Sequence, residues 1–286
     1  MNYRMEKDSL GAFKVPADAY YGIFTARARE NFNLTGDLTH PVLIRVLAVV
    51  KSAAARANME LGVLDKKKAQ AIIRAADEVI RGKFDDQFCL DMIQAGAGTP
   101  FNMNTNEVLA NRANELLGGK KGKYNFVNPN DDVNMGQSSN NVIPTAVRIS
   151  TLILLQGLLE ELNAAEKSLA KKSKEFDRIV KVGRTHIQDA VPVRLGQEFD
   201  SYREIVRRGI NNLLKCGLDL SELGIGGTAI GTGITAHPKF DQLTASHISK
   251  MTGLKFHATP QHVYLTQSMA AFGNFASALS VFCSEL

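Results

Sequence analysis

The sequence predicts an all-α fold with a bundle of long helices as its core. Three observations carry this reading. Apolar residues recur at steps of three and four along extended stretches, the period of a helix face. Prolines open several of these stretches and glycines close them, as helix starts and stops require. Strand-like alternation of apolar and polar residues is scarce throughout.

Taken in order, the first ~40 residues lack the helical period. "VPADAYYGIFTARARENF", with Pro16, Gly22 and several aromatics, reads as an ordered segment laid on a surface. A helix follows from Pro41 to Gly62, and a second runs to Gly82 with Asp65 as its N-cap. "AGAGTPFNMN", from Ala95 to Asn104, reads as a loop, and "TNEVLANRANELLGG" as the third helix, with Asn104 and Glu107 spaced as a capping box. Pro144 at a first helical position opens a long helix to Phe176, striped by Leu152, Leu155, Leu159, Leu162, Ala165 and Leu169 and spanning about 50 Å. "GRTHIQDAVP", Gly183 to Pro192, reads as a polar break between helices. The next helix runs from about Leu195 to Glu222 on a stripe of Phe199, Tyr202, Val206, Ile210, Leu213 and Leu220. The last begins near Gln261 and carries no Asp, Glu, Lys or Arg before Glu285. Gln267, Asn274 and repeated serines speak against a membrane span, so this helix is expected in the centre of a bundle shared with other subunits. The expected domains are 1–136, mostly helical, and 137–286, the bundle. The chain stops inside its last helix pattern, so it is expected to be truncated, without a C-terminal domain.

Composition narrows the function classes. The 286 residues are 44% apolar and 22% charged, ordinary for a soluble globular protein. "MNYRMEKDSL" has mixed charge and no apolar core, so no signal peptide and a cytoplasmic location are expected. Cys89, Cys216 and Cys283 lie far apart and suit neither a disulfide framework nor metal spacing. The net charge of +5 is modest, and the clusters Lys66–Lys68, Lys120–Lys121 and Arg207–Arg208 lack interleaved aromatics. They read as solvated helix faces rather than a nucleic-acid surface, while the mild positive field helps to gather anionic substrates.

Three polar segments beside helix starts are the candidate chemistry. "NPNDDVNMGQSSNNVIPTAV" places Ser138, Ser139, Asn140 and Asn141 where free backbone N–H groups and the positive end of a helix dipole suit an anion such as a carboxylate. One cap needs one such residue, and four in a row is excess. "AGAGTPFNMNTNEV" offers a glycine loop able to approach a ligand, with Thr99 as a donor. "GRTHIQDAVPVRLGQE" holds His186, a side chain suited to proton transfer, beside Arg184, Gln188 and Asp189 as orienting partners. "GIGGTAIGTG" has GxGxxA spacing at Gly224, Gly226 and Ala229, but no strand precedes it and no βαβ unit surrounds it, so a dinucleotide site is rejected. No P-loop, HExxH or metal-spaced cluster occurs, and neither cofactor nor metal is expected.

Together "QAGAGTPFNMNTNEVLANRA", "NPNDDVNMGQSSNNVIPTA", "GRTHIQDAVPVRLGQEF", "GGTAIGTG" and the opening "EKDSLGAFKVPADAYYGIFTARARENF" resemble the fumarase/aspartase superfamily, in the family's order and across essentially the whole chain. The resemblance implies a homotetramer with composite active sites, binding a small dicarboxylate. It implies that Thr99 binds a substrate carboxylate, that Ser138, Ser139 and Asn140 form the substrate-binding run, and that Thr185 and His186 bind and orient the substrate, with His186 as the catalytic histidine. "MNTNEV", "DAYYG", "AGAGT", "NPND" and "QDAVP" look more like the aspartase branch, which eliminates ammonia from L-aspartate to give fumarate. "GGTAIGTG" and "SSN" look more like the fumarase branch, which hydrates fumarate to L-malate. Two departures stand out. Asn141 occupies the position of the family's Asp, and no segment like the family's GSS signature loop, with its proton-abstracting serine, is present. A fragment of this extent is expected to be inactive alone, and a non-catalytic protein on the same scaffold is the alternative.

Overall fold

In the computed structural model, residues 2–259 and 266–285 are described. They form two compact units, one made of Met1–Ser150 with Ser221–Val263, the other of Thr151–Leu220 with Tyr264–Leu286. The sequence suggested a division at 136/137. The chain instead crosses between units within one long helix and returns to the first unit after Leu220.

The first unit opens with an antiparallel hairpin, β1 (Tyr3–Asp8) and β2 (Gly11–Pro16), where an irregular segment was expected. Its pattern hides the strand because Tyr3 and Met5 face solvent while Glu6 is buried. The Arg4 guanidinium holds the hairpin to the following chain, donating to the carbonyls of Pro16, Ala19 and Tyr21 at 2.8–2.9 Å. Helix α1 (Ile23–Asn31) comes next.

Helices α2 (Pro41–Glu60) and α3 (Lys66–Ile80) start as their caps dictate. His40 Nδ1 accepts from Val42 N, and Asp65 Oδ1 accepts from the N–H groups of Lys67 and Lys68 at 2.9 and 3.1 Å. Alanines on both helices, Ala48, Ala55, Ala69, Ala75 and Ala76 among them, lie in one core and let the backbones approach closely.

Helix α4 (Thr99–Leu116) begins earlier than the sequence suggested. Gly98, left-handed at φ +66°, turns the chain, and Pro100 fits the first helical turn, where its missing N–H costs nothing. Asn104 and Glu107 are therefore inside the helix and form no capping box. Asn104 Nδ2 donates to Gln87 O at 3.0 Å. The Glu107 carboxylate instead caps α1, accepting from the N–H groups of Gly22, Phe24 and Thr25 at 2.9–3.0 Å and from the Thr25 hydroxyl at 2.6 Å. Burial pushes the Glu107 carboxyl up from its ordinary range, against the pull of these donors. After a π-helical turn at Pro129–Val133, α5 (Ser139–Glu175) begins. Pro144 lies inside α5 rather than at its first position. Beyond α5 and the second unit's first elements, β5 (Glu222–Leu223), α7 (Phe240–Thr252) and β6 (His257–Ala258) return to the first unit, β5 and β6 pairing in parallel.

In the second unit, the segment expected as a helix break is an antiparallel hairpin, β3 (Val180–Thr185) with β4 (Gln188–Arg194). Its valines do not reveal it, because Val180, Val182 and Val191 all face outward. Helices α6 (Leu195–Leu220) and α8 (Thr266–Glu285) pack with the later part of α5 around Leu155, Leu162, Val206, Ile210, Leu213 and Phe275. Gly209 allows the α6–α8 approach, since a Cβ there would lie 2.0 Å from the Phe275 ring. The expected helix start at Gln261 lies outside the described residues. Among the described residues α5 alone is long and apolar enough to cross a membrane, but its Leu155 and Leu162 pack in this core.

Candidate active site

Two of the three polar segments meet in the first unit. Ser138 is the cap of α5. Its Oγ accepts from Asn140 N at 3.3 Å, and the Asn141 Oδ1 accepts from Ser138 N at 3.2 Å. This is a reciprocal capping box, and it explains how Asn141 serves in an acidic residue's place: only a carbonyl acceptor is needed there. Pro144 withdraws the N–H that would otherwise bond the Asn140 carbonyl, leaving that one acceptor without its helical partner.

The glycine loop stands against this turn. Thr99 is the first residue of α4, half-buried, directly after the left-handed Gly98. A Cβ on Gly98 would lie 2.9 Å from both Cγ1 and Cγ2 of Ile143, so only glycine lets the loop sit so close to α5. One turn into α4, Asn102 Nδ2 donates to Ser139 Oγ at 3.2 Å and to Asn134 Oδ1 at 3.2 Å. A third segment joins them, since Asn140 Nδ2 donates to the Ala229 carbonyl of the "GIGGTAIGTG" loop at 3.0 Å. The sequence reading expected no strand before this loop and no βαβ unit around it, but β5 directly precedes it and pairs in parallel with β6 across α7; the loop lies beside the serine–asparagine run. Next to Ala229, Thr228 is buried at φ +55°, and its hydroxyl has no hydrogen-bond partner. Asn102 Oδ1, Asn141 Nδ2 and Thr145 Oγ1 are likewise buried without partners. Buried polar atoms are nearly always satisfied, so four orphans around one helix start mark a place built for more than packing.

Thr185 and His186 belong to the second unit. They sit at the tip of the β3–β4 hairpin, where Thr185 pairs with Gln188 across a two-residue turn. Both central residues are left-handed, His186 at φ +53° and Ile187 at φ +59°. Hairpin turns of this kind ordinarily use Asn-Gly. A β-branched residue at positive φ is strained, and Ile187 is also 93% exposed. Arg184 is paired with Asp189 (Nε to Oδ1, 3.1 Å) rather than with His186, and this exposed pair contributes little. Thr99, Ser138, Ser139 and Asn140 are thus brought together in one unit, and Thr185 and His186 are held in the other. Asn102 and the Thr228–Ala229 turn were missed in the sequence. Asn102 had a signal, a polar side chain repeated in "FNMNTN", read as loop rather than helix.

Chemically, the α5 start offers the Ser138 and Ser139 hydroxyls and the Asn140 amide, with no carboxylate side chain among them. That set suits a carboxylate and favours extra negative charge developing on it. Among the described residues no group of three or more His, Cys, Asp and Glu is placed to hold a metal ion.

A lyase family profile matches residues 11–286. The chain is 47% identical over 278 residues to an aspartate ammonia-lyase of a Bacillus species, covering 97% of this chain and 59% of that protein. It is 51% identical over 262 residues to a class II fumarate hydratase of Halobacterium salinarum, covering 91% of this chain and 56% of that protein. Its structure is similar to that of a class II fumarase from Schistosoma mansoni, with a TM-score of 0.93 at 34% identity, over 99% of this chain and 64% of that one. The chain therefore spans about three fifths of the length of these relatives.

Proposed function

This chain belongs to the lyase family of the fumarases and aspartases, and on that premise we propose that its full-length protein eliminates ammonia from L-aspartate to give fumarate. A base takes a proton from the carbon next to one carboxylate, and the electron pair moves into that carboxylate as a doubly charged enolate. The double bond then forms as the carbon–nitrogen bond breaks and ammonia leaves. The step that needs the protein most is the enolate, which hydrogen-bond donors must stabilise.

The observation that carries the reading is the donor-rich start of α5, with Ser138, Ser139 and Asn140 on it and Asn102 and the Gly98–Thr99 turn against it. In this reading Ser138, Ser139, Asn140 and Thr99 hold the carboxylates. Thr185 and His186, on the strained hairpin tip, complete the site from another subunit of a homotetramer and orient the substrate. Free Cys89, Cys216 and Cys283 fit a reducing, cytoplasmic location. The hydratase reading is kept alongside, favoured by the higher identity to the Halobacterium protein. The test is ultraviolet detection of fumarate formed by the full-length protein from L-aspartate and, separately, from L-malate. Aspartate turnover well above malate turnover supports the proposal, the reverse supports the hydratase, and neither refutes both. Sedimentation of the same sample tests the tetramer.

A further inference from the structure

We propose that Lys51 is a positioning residue for the carboxylate site, holding the Asn134–Gln137 turn that delivers Ser138 and Ser139 to the start of α5. The inference rests on the reading of Ser138–Asn140 as a carboxylate-holding run.

Lysine is among the residues least often fully buried, yet Lys51, in the middle of α2, is 0% exposed. Its Nζ donates to Asn134 Oδ1 at 2.8 Å and to Gln137 Oε1 at 2.9 Å, both amide oxygens. Each acceptor is tied onward. Asn134 Oδ1 also accepts from Asn102 Nδ2, and the same Nδ2 donates to Ser139 Oγ, so the amine lies two residues away from a candidate substrate hydroxyl. Asn134 Nδ2 donates to the Gln137 carbonyl at 3.2 Å, and Gln137 Nε2 to the Val133 carbonyl at 3.0 Å. These bonds close around Gly136, left-handed at φ +70°, and Ser138 follows Gln137 directly. Helix α2 holds the same turn at a second point, where Asn58 Nδ2 donates to the Met135 carbonyl at 3.0 Å.

Burial drives the Lys51 amine well below its usual range. The N–H donors of the amine are met by two uncharged amide oxygens. A methionine would fill the same space without the desolvation cost, so packing alone gives no reason for lysine here. The physical reason is geometric: a four-carbon stem anchored in a rigid helix places two donors on the last turn before the site, and sites of this kind tolerate little displacement.

The test uses the full-length enzyme, with kcat and KM for L-aspartate and L-malate and calorimetric binding of succinate, an unreactive dicarboxylate. Lys51→Met keeps the volume and deletes both donors. It should remain folded and lose kcat/KM on the order of 10²-fold, the scale of an ångström-sized misplacement. Lys51→Gln, which keeps amide donors, should recover part of that loss. Gln137→Met, one bond away, should reproduce a smaller loss and keeps the question open to measurement if Lys51→Met fails to fold. A Lys51→Met or Gln137→Met protein with a lowered unfolding midpoint but unchanged kcat/KM would overturn the positioning role while leaving the substrate reading intact. If the wild type neither turns over these substrates nor binds succinate, the carboxylate reading itself fails, and this inference with it.

Discussion

Gly98→Ala tests in one residue how the glycine loop is fitted against α5. Gly98 is left-handed at φ +66°, a conformation that costs an L-residue with a Cβ roughly 1–2 kcal/mol. The added methyl would also stand 2.9 Å from Cγ1 and Cγ2 of Ile143 and 3.3 Å from its Cβ. Ile143 is β-branched and held in a helix, so it cannot rotate away cheaply, and overpacking of this kind typically costs about 1–3 kcal/mol. The two terms sum to about 2–5 kcal/mol of lost stability, with Thr99, the next residue, displaced from its place beside α5. Urea unfolding of Gly98→Ala, Ile143→Ala and the double variant separates them. The clash should reappear as a favourable coupling of about 1–3 kcal/mol in the double variant, while the backbone term of roughly 1–2 kcal/mol stays. A Gly98→Ala protein as stable as wild type, or a double variant with no coupling, would refute the close fit.

Three further outcomes follow from the same structure. Ile187→Gly should stabilise the hairpin tip by roughly 1 kcal/mol, since it removes β-branched strain at φ +59°, and thermal unfolding that shows a loss instead would speak against the turn geometry. His186→Ala in the full-length enzyme should lower turnover roughly 10²–10³-fold with the oligomer intact by sedimentation, and unchanged turnover would remove His186 from the site. Asp91 accepts from the N–H groups of Leu34, Thr35, Gly36 and Ile93 and from the Thr35 hydroxyl, and the Gly36 and Thr35 N–H groups chiefly hold its carboxyl well below the usual range. A depressed carboxyl stabilises the fold above its unfolded value near ~4 and loses that contribution as pH falls. Asp91→Asn should therefore unfold more readily than wild type at neutral pH, with the difference shrinking below about pH 4 in urea titrations, and a difference that grows on acidification would contradict the assignment.

What was legible in the sequence was what is local. Asp65 caps α3 through bonds two and three residues away, and Pro41 opens α2, so those helices could be read from their own residues. What was illegible depends on distant partners. Asn104 and Glu107 have capping-box spacing, but Glu107 spends its carboxylate on the start of α1, more than 80 residues away in sequence. The hairpins escaped notice because strands normally betray themselves by a buried apolar face, whereas Tyr3, Met5, Val180, Val182 and Val191 point outward. The site divides in the same way. Ser138–Asn141 announces a helix start with more polar residues than a cap needs. Lys51 carries no such mark and Asn102 only the repeated asparagines of "FNMNTN", because only the tertiary fold reveals that each is buried with its donors aimed at the turn before Ser139.

The central claim is that the start of α5 holds a dicarboxylate while a proton and ammonia leave it. Its most direct test compares fumarate formation from L-aspartate by the full-length protein and by its Ser139→Ala variant. The account predicts steady turnover by the wild type and a fall of roughly 10²-fold or more in the folded variant, as expected for one lost donor to developing charge. Equal turnover by the two proteins, or none by the wild type from L-aspartate or L-malate, would contradict it.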